Sequence, residues 1–244
     1  GAGFTARVSN GSGYITGSDG DNITTGWHHF AMVIDQSANR LYRYVDGELQ
    51  GTATTITASY NTDNAEALQI GRRLDSTDGS NTGNWFDGRI ADVRVYKGEA
   101  VSQANIQVLA SKINGSSSLG AGTTNLKAWW KINEGTGTNI ADSAESRTGT
   151  ATTFAMSGAT SNWTFDAFSV NVQDNTTTTT GQLKVTQGKL EGLSLSCVDL
   201  NGSDEYIHAS DAGFPALNTA RTISAWIRPD DVSTANQSIF GYGA

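Results

Sequence analysis

The residues best suited to contact a ligand lie in the segment DSTDGSNTGNWFDG, which covers residues 75–88. An indole ring can stack on the face of a ligand ring, while amide and carboxylate oxygens can bind its hydroxyl groups. The polar neighbours of Trp85 do not guarantee that its indole is buried, whereas aromatic residues in apolar strands are more often core residues. This loop is our first choice for contact with a partner, and its candidate ligand-binding residues are Trp85, Asp75, Asp78, Asn81 and Asn84.

The two adjacent histidines, His28 and His29, invite a nucleophilic or metal-binding interpretation. Successive side chains of a strand point to opposite faces, so this pair cannot clamp one ion together. We therefore predict structural roles for both. The single cysteine, Cys197, excludes an intrachain disulfide, and its apolar alternating surroundings predict a buried, unreactive side chain.

The charge balance limits the partners of the chain. With 24 acidic and 16 basic residues the net charge is −8, which disfavours binding to nucleic acid or anionic lipid. No apolar run approaches the roughly 18 residues of a membrane span, and no leader is evident, so no membrane insertion is predicted. The polar, weakly charged composition is typical of extracellular bacterial and virion-surface proteins.

The elements that must position these residues are mostly strands. Residues 26–49, GWHHFAMVIDQSANRLYRYVDGEL, alternate in hydrophobicity and predict two paired strands, followed by a tight turn at Asp46-Gly47. Further alternating segments at spacings of roughly ten to twenty residues indicate an all-β fold. Ser102 is expected to cap one short helix. Residues 113–125 are dominated by Gly, Ser and Thr and predict a flexible connector.

Two sets of motifs resemble the laminin-G-like, concanavalin A-like jelly-roll superfamily. AWWKINEGTGTNIADS, VDLNGSDEYIHAS and RTISAWIRPDD, from the second half of the chain, are similar to the first half of that domain. The hairpin at 26–49, ALQIGRR and FDGRIADVRVYKGEAVSQANI are similar to its second half. The resemblance implies an antiparallel β-sandwich with its halves in inverted order.

The inverted order has three explanations, which the sequence leaves open. The chain is a circularly permuted sandwich, a window across a tandem array, or a subunit that exchanges halves with a neighbour. The predicted division places the second half of a jelly roll at 1–112, the connector at 113–125, and the first half at 126–244, with a Thr-rich insertion near 166–190. A lone half would expose an apolar face and open edges, so 197–244 should pack with 1–112 of the same or an identical chain.

The resemblance also implies what catalysis would require. Laminarinase-type members of the superfamily carry two glutamates flanking an aspartate on one strand face, because retaining hydrolysis needs two carboxyl groups about 5 Å apart. No Glu-x-Asp-x-x-Glu spacing occurs here, and the adjacent acids Asp204-Glu205 and Asp230-Asp231 would face opposite ways in a strand. We therefore expect no enzymatic activity.

Many relatives hold one structural calcium ion where the opening strand meets the closing one. By resemblance, the metal-binding positions here are Glu134 and Asp92, with the carbonyl of Gly135. Oxygen ligands of this kind suit Ca²⁺. The alternative is that Asp92 pairs with a nearby arginine and Glu134 is a solvated turn residue.

The leading functional hypothesis is a non-catalytic recognition or adhesion module within a larger extracellular, cell-surface or virion-surface protein. Its expected partners are a glycan or a surface protein ligand, and neighbouring copies of itself are a further option. One alternative is a structural assembly unit, such as a capsid decoration or an appendage repeat. A weaker alternative is a glycoside hydrolase with an unrecognised site.

Overall fold

The structure is a computed structural model that describes most of the chain. The described residues are 7–9, 14–16, 23–56, 67–73, 84–115, 119, 125–156, 161–167, 194–210, 214, 219–233 and 237–241. Within these ranges the chain forms sixteen strands and one helix. In the same part of the chain, no helix combines the length and apolar character needed to cross a membrane.

The first eight strands and the helix belong to the first half of the chain. They are β1 (Arg7–Ser9), β2 (Tyr14–Thr16), β3 (His28–Asp35), β4 (Arg40–Val45), β5 (Glu48–Leu49), β6 (Thr54–Thr55), β7 (Leu68–Ile70), β8 (Asp87–Lys97) and α1 (Gln103–Ala110). The remaining strands are β9 (Leu126–Trp130), β10 (Asn139–Ile140), β11 (Gly149–Thr152), β12 (Trp163–Ala167), β13 (Ser194–Asn201), β14 (Tyr206–Ala209), β15 (Arg221–Pro229) and β16 (Phe240–Gly241).

Two antiparallel sheets form the sandwich, and a separate pair, β1 and β2, lies outside them. One sheet has the order β10-β11-β14-β7-β16. The other runs β12-β13-β8-β15-β3-β4-β5, with β6 added beside β4 and β9 beside β8. One core of buried side chains, including Val93, Ile223, Ile70 and Ile207, joins the facing sides of the two sheets. The predicted all-β antiparallel sandwich is confirmed.

Strands from both ends of the chain alternate within each sheet. β15 lies between β3 and β8, where Ile223 is opposite Met32 on one side and Val95 on the other. In the second sheet, β14 lies between β11 and β7. The predicted packing of the last strands against the first half is therefore confirmed. The predicted proximity of Ala244 to Gly1 lies outside the described residues, as does most of the threonine-rich insertion.

The local hairpin predictions are also confirmed. β3 and β4 pair antiparallel, with Phe30 opposite Val45 and Asp35 opposite Arg40. Asp46 and Gly47 then adopt φ angles of 51° and 83° before β5 begins. Positive φ at both central residues is what a two-residue hairpin with the twist of its strands requires.

The outer face of the nine-stranded sheet is covered by a second apolar layer. Ser102 caps α1 by accepting a hydrogen bond from the Asn105 amide, as predicted. Ile106 and Leu109 of the helix are buried in a cluster with Ala31, Val33, Tyr44 and Tyr96 of the sheet. This sheet is therefore buried on both faces, which explains the unbroken buried pattern along β3.

The expectation of a flexible connector at 113–125 needs correction where the segment is described. Leu119 is 7% exposed and joins the apolar layer under α1. The backbone N–H of Asn114 donates to the Asp92 carboxylate at 2.5 Å. These contacts anchor both residues to the sheet, and composition alone gave no sign of them.

Replacing Ile223 with alanine tests whether β15 holds the two halves together. Ile223 is 1% exposed, so the cavity and lost burial should lower the free energy of unfolding by about 2–5 kcal/mol. Chemical denaturation measures this change. The control is Val108→Ala, at a position that is 51% exposed, which should change stability by under about 0.5 kcal/mol.

Hydrogen exchange gives the second readout for Ile223→Ala. Amides of β3 and β8 should lose protection together with those of β15, because both strands depend on β15 for hydrogen bonds. Faster exchange confined to 194–241 would contradict a shared sandwich.

Candidate functional site

A group of aromatic side chains lies on the outward face of the five-stranded sheet. In β14, Ile207 and Ala209 point into the core, so the alternate residues Tyr206 and His208 point outward. Trp85 immediately precedes the fully buried Phe86 and lies beside them, with its ring centroid 6.0 Å from that of Tyr206. All three outward residues are half-buried. We call Trp85, Tyr206 and His208 the aromatic platform.

Cross-strand pairing places polar side chains next to the platform. Thr152 lies opposite Tyr206, and Thr150 lies opposite His208. The Thr152 hydroxyl is 3.2 Å from Nδ1 of His208. On the other side of β14, Gln69 lies opposite His208. The aromatic rings are therefore flanked by two threonine hydroxyl groups that can bind a polar ligand, and by the buried amide of Gln69.

Arg72 holds the platform rings together. Its backbone bridges to that of Trp85, just after Gly71, where φ is 88° and an added Cβ would lie 2.3 Å from the Leu200 side chain. Only glycine fits that approach. The Arg72 guanidinium carbon lies 3.4 Å from the Tyr206 ring centroid and 5.2 Å from that of Trp85. These are cation–π distances.

A hydrogen bond to Gln69 fixes the orientation of the Arg72 side chain. Its Nε–H donates to the Gln69 side-chain oxygen at 3.0 Å, and the Gln69 amide nitrogen donates to the carbonyl of Ala67 at 3.1 Å. Burial lowers the pKa of the Arg72 guanidinium, and the Tyr206 hydroxyl partly offsets this effect. The cation is therefore held in one orientation against the rings, which reduces the ordering cost when a ligand binds.

The platform combines residues from the two halves of the chain. Arg72 and Trp85 come from the first half, and Tyr206 and His208 from the second. They meet because β14 pairs with β7. Neither half of the chain alone contains the whole site.

The predicted loop site is only partly described. Trp85 lies in the platform, and Asn84 precedes it with a φ of 74° and a half-buried side chain. Asp75, Asp78 and Asn81 lie outside the described residues, so their predicted role stays a prediction. Sequence reasoning did not select Tyr206, His208 or Arg72. The alternation of polar and apolar residues in DEYIHAS was the available signal for the first two.

The predicted calcium ligands have different partners in the structure. Both Asp92 oxygens are engaged: Oδ1 accepts from Arg94 Nε and Trp129 Nε1, each at 2.7 Å, and Oδ2 accepts from Arg94 Nη2 at 3.1 Å and the Asn114 amide. Asp92 is 3% exposed. A carboxylate that already accepts four hydrogen bonds, two of them from a cation, does not fit a calcium ligand.

The turn around Glu134 holds the other two predicted calcium-binding residues. Glu134 Oε1 accepts from the Ala141 amide at 2.8 Å, while Oε2 is a buried atom without a partner in the described part of the chain. Gly135 adopts a φ of 72°. Among the described residues, no group of three or more His, Cys, Asp or Glu side chains is arranged to hold a metal ion. The geometry of Asp92 argues against its predicted role as a calcium ligand, and the calcium site that the resemblance implied stays a prediction.

The Asp92–Arg94 pair is instead a buried structural interaction. Arg94 is 1% exposed, and its guanidinium carbon lies 4.2 Å from the Trp129 ring centroid. Burial alone would lower the pKa of Arg94, but the hydrogen bonds and charge of Asp92 raise it above its usual value. The alternative interpretation, that Asp92 pairs with a nearby arginine, matches this geometry.

The side chains of His28 and His29 face opposite sides of β3 and make different contacts. His28 Nδ1 lies 2.7 Å from Asp46 Oδ2, and its Nε2 lies 2.9 Å from the Thr24 hydroxyl. The His29 amide donates to the other Asp46 oxygen at 2.8 Å. These contacts fix the hairpin turn against the start of β3, so the expected structural role of His28 is what the geometry supports.

The His29 ring is buried beside Trp226. The two ring centroids are 5.7 Å apart in an edge-on arrangement, and His29 Nδ1 has no hydrogen-bond partner among the described residues. Burial lowers the pKa of His29 to about 4, although the charges of Asp92 and Asp46 partly oppose this change. His29 is therefore neutral in the folded protein near pH 7.

Carboxylates also gather where β8 begins and where β13 and β15 end. Burial raises the pKa of Asp87 and of Asp199, and the negative charge of Asp230 adds to both shifts. Arg89 opposes the shift of Asp199 through an ion pair at 3.3 Å. The pairs Asp204-Glu205 and Asp230-Asp231 lie just outside the strands. The expectation that adjacent acidic side chains face opposite sides of a strand therefore does not apply to these two pairs.

Comparison with known proteins identifies the first part of the chain. Residues 1–107 of the 244 match the Laminin_G_3 family model, described as the concanavalin A-like lectin/glucanases superfamily. No curated protein and no solved structure gives a significant match. The resemblance is confirmed over these residues, and a domain of this superfamily suggests a module that binds carbohydrates or other ligands. The predicted division into inverted halves stays a prediction.

Removing the Asp92 carboxylate should strongly destabilise the fold. Asp92→Ala leaves the Arg94 cation buried without its partner, which should cost about 3–5 kcal/mol in the free energy of unfolding. The matched control is Glu145→Ala, which removes an exposed partner of Lys127 and should cost under about 1 kcal/mol. Chemical denaturation of both variants measures the difference.

The same experiment separates the ion pair from a calcium site. Excess chelator should leave the melting temperature of the unchanged protein where it was, since the Asp92 carboxylate already accepts four hydrogen bonds. A lower melting temperature in chelator, restored by calcium, would contradict the ion-pair interpretation.

The buried His29 should make stability depend on pH. Its folded pKa of about 4 is below the unfolded value of 6.5, so its contribution is complete above pH 6.5 and is lost as pH falls toward 4. The full shift corresponds to roughly 3 kcal/mol. His29→Gln should therefore lose less stability than the unchanged protein between pH 7 and pH 4.5.

Denaturation at several pH values checks the His29 prediction. Titration of the carboxylates is common to both proteins and cancels in the comparison. Parallel curves of unfolding free energy against pH would show that His29 is not held neutral by burial.

Proposed function

We propose that this protein is a non-catalytic recognition module that binds glycan through the aromatic platform, within a larger extracellular, cell-surface or virion-surface protein. The observation that carries the proposal is the outward-facing cluster of Trp85, Tyr206 and His208, flanked by Arg72. The match of residues 1–107 to a superfamily of lectins and glucanases supports the same class of ligand.

The chemistry of the platform suits a saccharide. Half-buried aromatic rings offer apolar surface to the C–H face of a sugar while their edges stay fixed in the protein. Thr150 and Thr152 lie opposite the platform residues across the sheet, and their hydroxyl groups can hydrogen-bond those of a sugar. A few oriented polar groups beside aromatic surface are typical of small-ligand sites.

The proposal takes the module as non-catalytic because the sequence lacks the acid spacing used by the glucanases of the superfamily. Burial, together with the charge of Asp230, raises the pKa of Asp87 and of Asp199 at the ends of these strands, which is a common feature of catalytic sites and of structural ones. Hydrolysis of a bound glycan that disappears on changing one of these residues to its amide would overturn this part of the proposal.

The structure weakens the argument for a purely structural assembly unit. That alternative drew support from exchange of halves between subunits. β15 of the same chain fills the place between β3 and β8, so closure of the sandwich requires no neighbour. The acidic, polar composition supports a location outside the cell, where a surface protein meets glycans.

Binding should be lost when either large ring of the platform is removed. A glycan array first identifies a bound saccharide, and calorimetric titration then compares the unchanged protein with Trp85→Ala and Tyr206→Ala. Each variant should bind at least about tenfold more weakly, because aromatic anchors dominate the binding energy of such sites.

The matched control is Tyr42→Ala. Tyr42 is half-buried on the other sheet and stacks on Tyr44 with a centroid distance of 6.3 Å, so its removal also deletes one aromatic ring. This variant should bind like the unchanged protein. Equal loss of affinity in all three variants, or silence on the array together with ordered polymers in electron micrographs, would contradict the proposal.

A further inference from the structure

Arg72 is a nearly buried cation to which the described residues supply no acidic partner. It is 8% exposed, and among the described residues its polar side-chain contacts are with Gln69 and Tyr206, with no carboxylate in ion-pair distance. Other arginines in the same protein are paired with acids: Arg94 with Asp92, and Arg89 with Asp199. Arg72 is stacked on aromatic rings where these two arginines have a carboxylate.

Holding a charge in this position costs free energy. Removing a guanidinium from water is unfavourable unless a counter-charge or several hydrogen bonds replace the water. The lowered pKa of Arg72 reflects this burial. The Tyr206 and Trp85 rings stabilise the cation only in part, since cation–π contacts contribute less than a buried ion pair.

The position of Arg72 connects this charge to the ligand surface. Its guanidinium lies against the two rings of the platform, on the outward side of the five-stranded sheet. A ligand that covers Trp85 and Tyr206 is therefore brought close to the cation. Hydrogen bonding to Gln69 fixes the guanidinium plane, and an oriented fork of N–H donors matches a carboxylate or sulfate better than a neutral hydroxyl group.

We infer that the saccharide bound at the platform is acidic, and that a carboxylate or sulfate group of one sugar unit supplies the counter-charge that Arg72 lacks. This inference rests on the proposed function and specifies its ligand class. The net charge of −8 makes general attraction of polyanions unfavourable, so recognition of an acidic sugar depends on this local pairing.

The test compares matched pairs of oligosaccharides by calorimetric titration. One pair is an oligogalacturonate and its carboxyl-reduced form, and the other is a sulfated oligosaccharide and its desulfated form. The acidic member of at least one pair should bind about tenfold or more tightly than its neutral counterpart, because hydrogen bonds to a charged group are stronger than neutral ones. The pair that shows the preference tells a carboxylate ligand from a sulfate ligand.

Salt and substitution provide independent readouts. Affinity of the unchanged protein for the acidic sugar should fall as salt rises, while affinity for any neutral form stays constant. Arg72→Gln should abolish the preference for the acidic form, and Arg72→Lys should keep part of it. The control is Arg40→Gln, which removes the same charge from a hairpin of the other sheet and should keep the full preference.

The outcomes separate this inference from the proposed function. Equal binding of acidic and neutral forms, lost in Tyr206→Ala, would overturn the acidic-sugar inference and leave glycan recognition intact. A preference unchanged in folded Arg72→Gln would also overturn it. If the protein binds a neutral glycan on the array but none of the four oligosaccharides, the acidic-sugar inference is contradicted and glycan recognition is not. Absence of any glycan binding would contradict both.

Discussion

The structure depends on the insertion of β15 between β3 and β8. Each of the two flanking strands would otherwise present unpaired backbone groups and an apolar face to water, which is costly and prone to aggregation. β15 pairs antiparallel with both strands and covers their apolar faces. Its pairing with β3 is continuous, and its pairing with β8 contains a bulge between Ser224 and Trp226. Because β15 comes from the last quarter of the chain, neither half completes the sheet alone. The aromatic platform also depends on the pairing of the two halves, since its residues come from both.

Burial of the large sheet on both sides determines where a ligand can bind. α1, Leu119 and the Asp92–Arg94–Trp129 contacts cover its outer face, and the second sheet covers its inner face. Asp92 has a φ of 50° next to the bulge, which places its carboxylate where Arg94 and the Asn114 amide can reach it. The outward face of the five-stranded sheet is then the face on which Tyr206 and His208 meet solvent. A structural ion pair on one side and the proposed ligand surface on the other follow from the same layering.

The sequence predicted features that depend on nearby residues. Alternation and the Asp46-Gly47 turn located the hairpin, and the linked motifs located the sandwich and the pairing of distant segments. Trp85 was selected because its loop is polar. What could not be predicted depends on register between distant strands: Arg72 meets Tyr206 only because β7 and β14 pair with Ile70 opposite Ile207. Composition likewise could not show that the amide of Asn114 would bind Asp92.

The most direct test of the account is the response of the tryptophan indole N–H signals to a bound saccharide in solution NMR. The Trp85 signal, assigned with a Trp85→Phe variant, should shift progressively on titration. The indoles of Trp129 and Trp226 donate to Asp92 and to the carbonyl of Leu109, on the outer side of the other sheet, and should stay in place. A ligand that shifts Trp129 or Trp226 and leaves Trp85 unchanged would show that recognition occurs elsewhere on the sandwich.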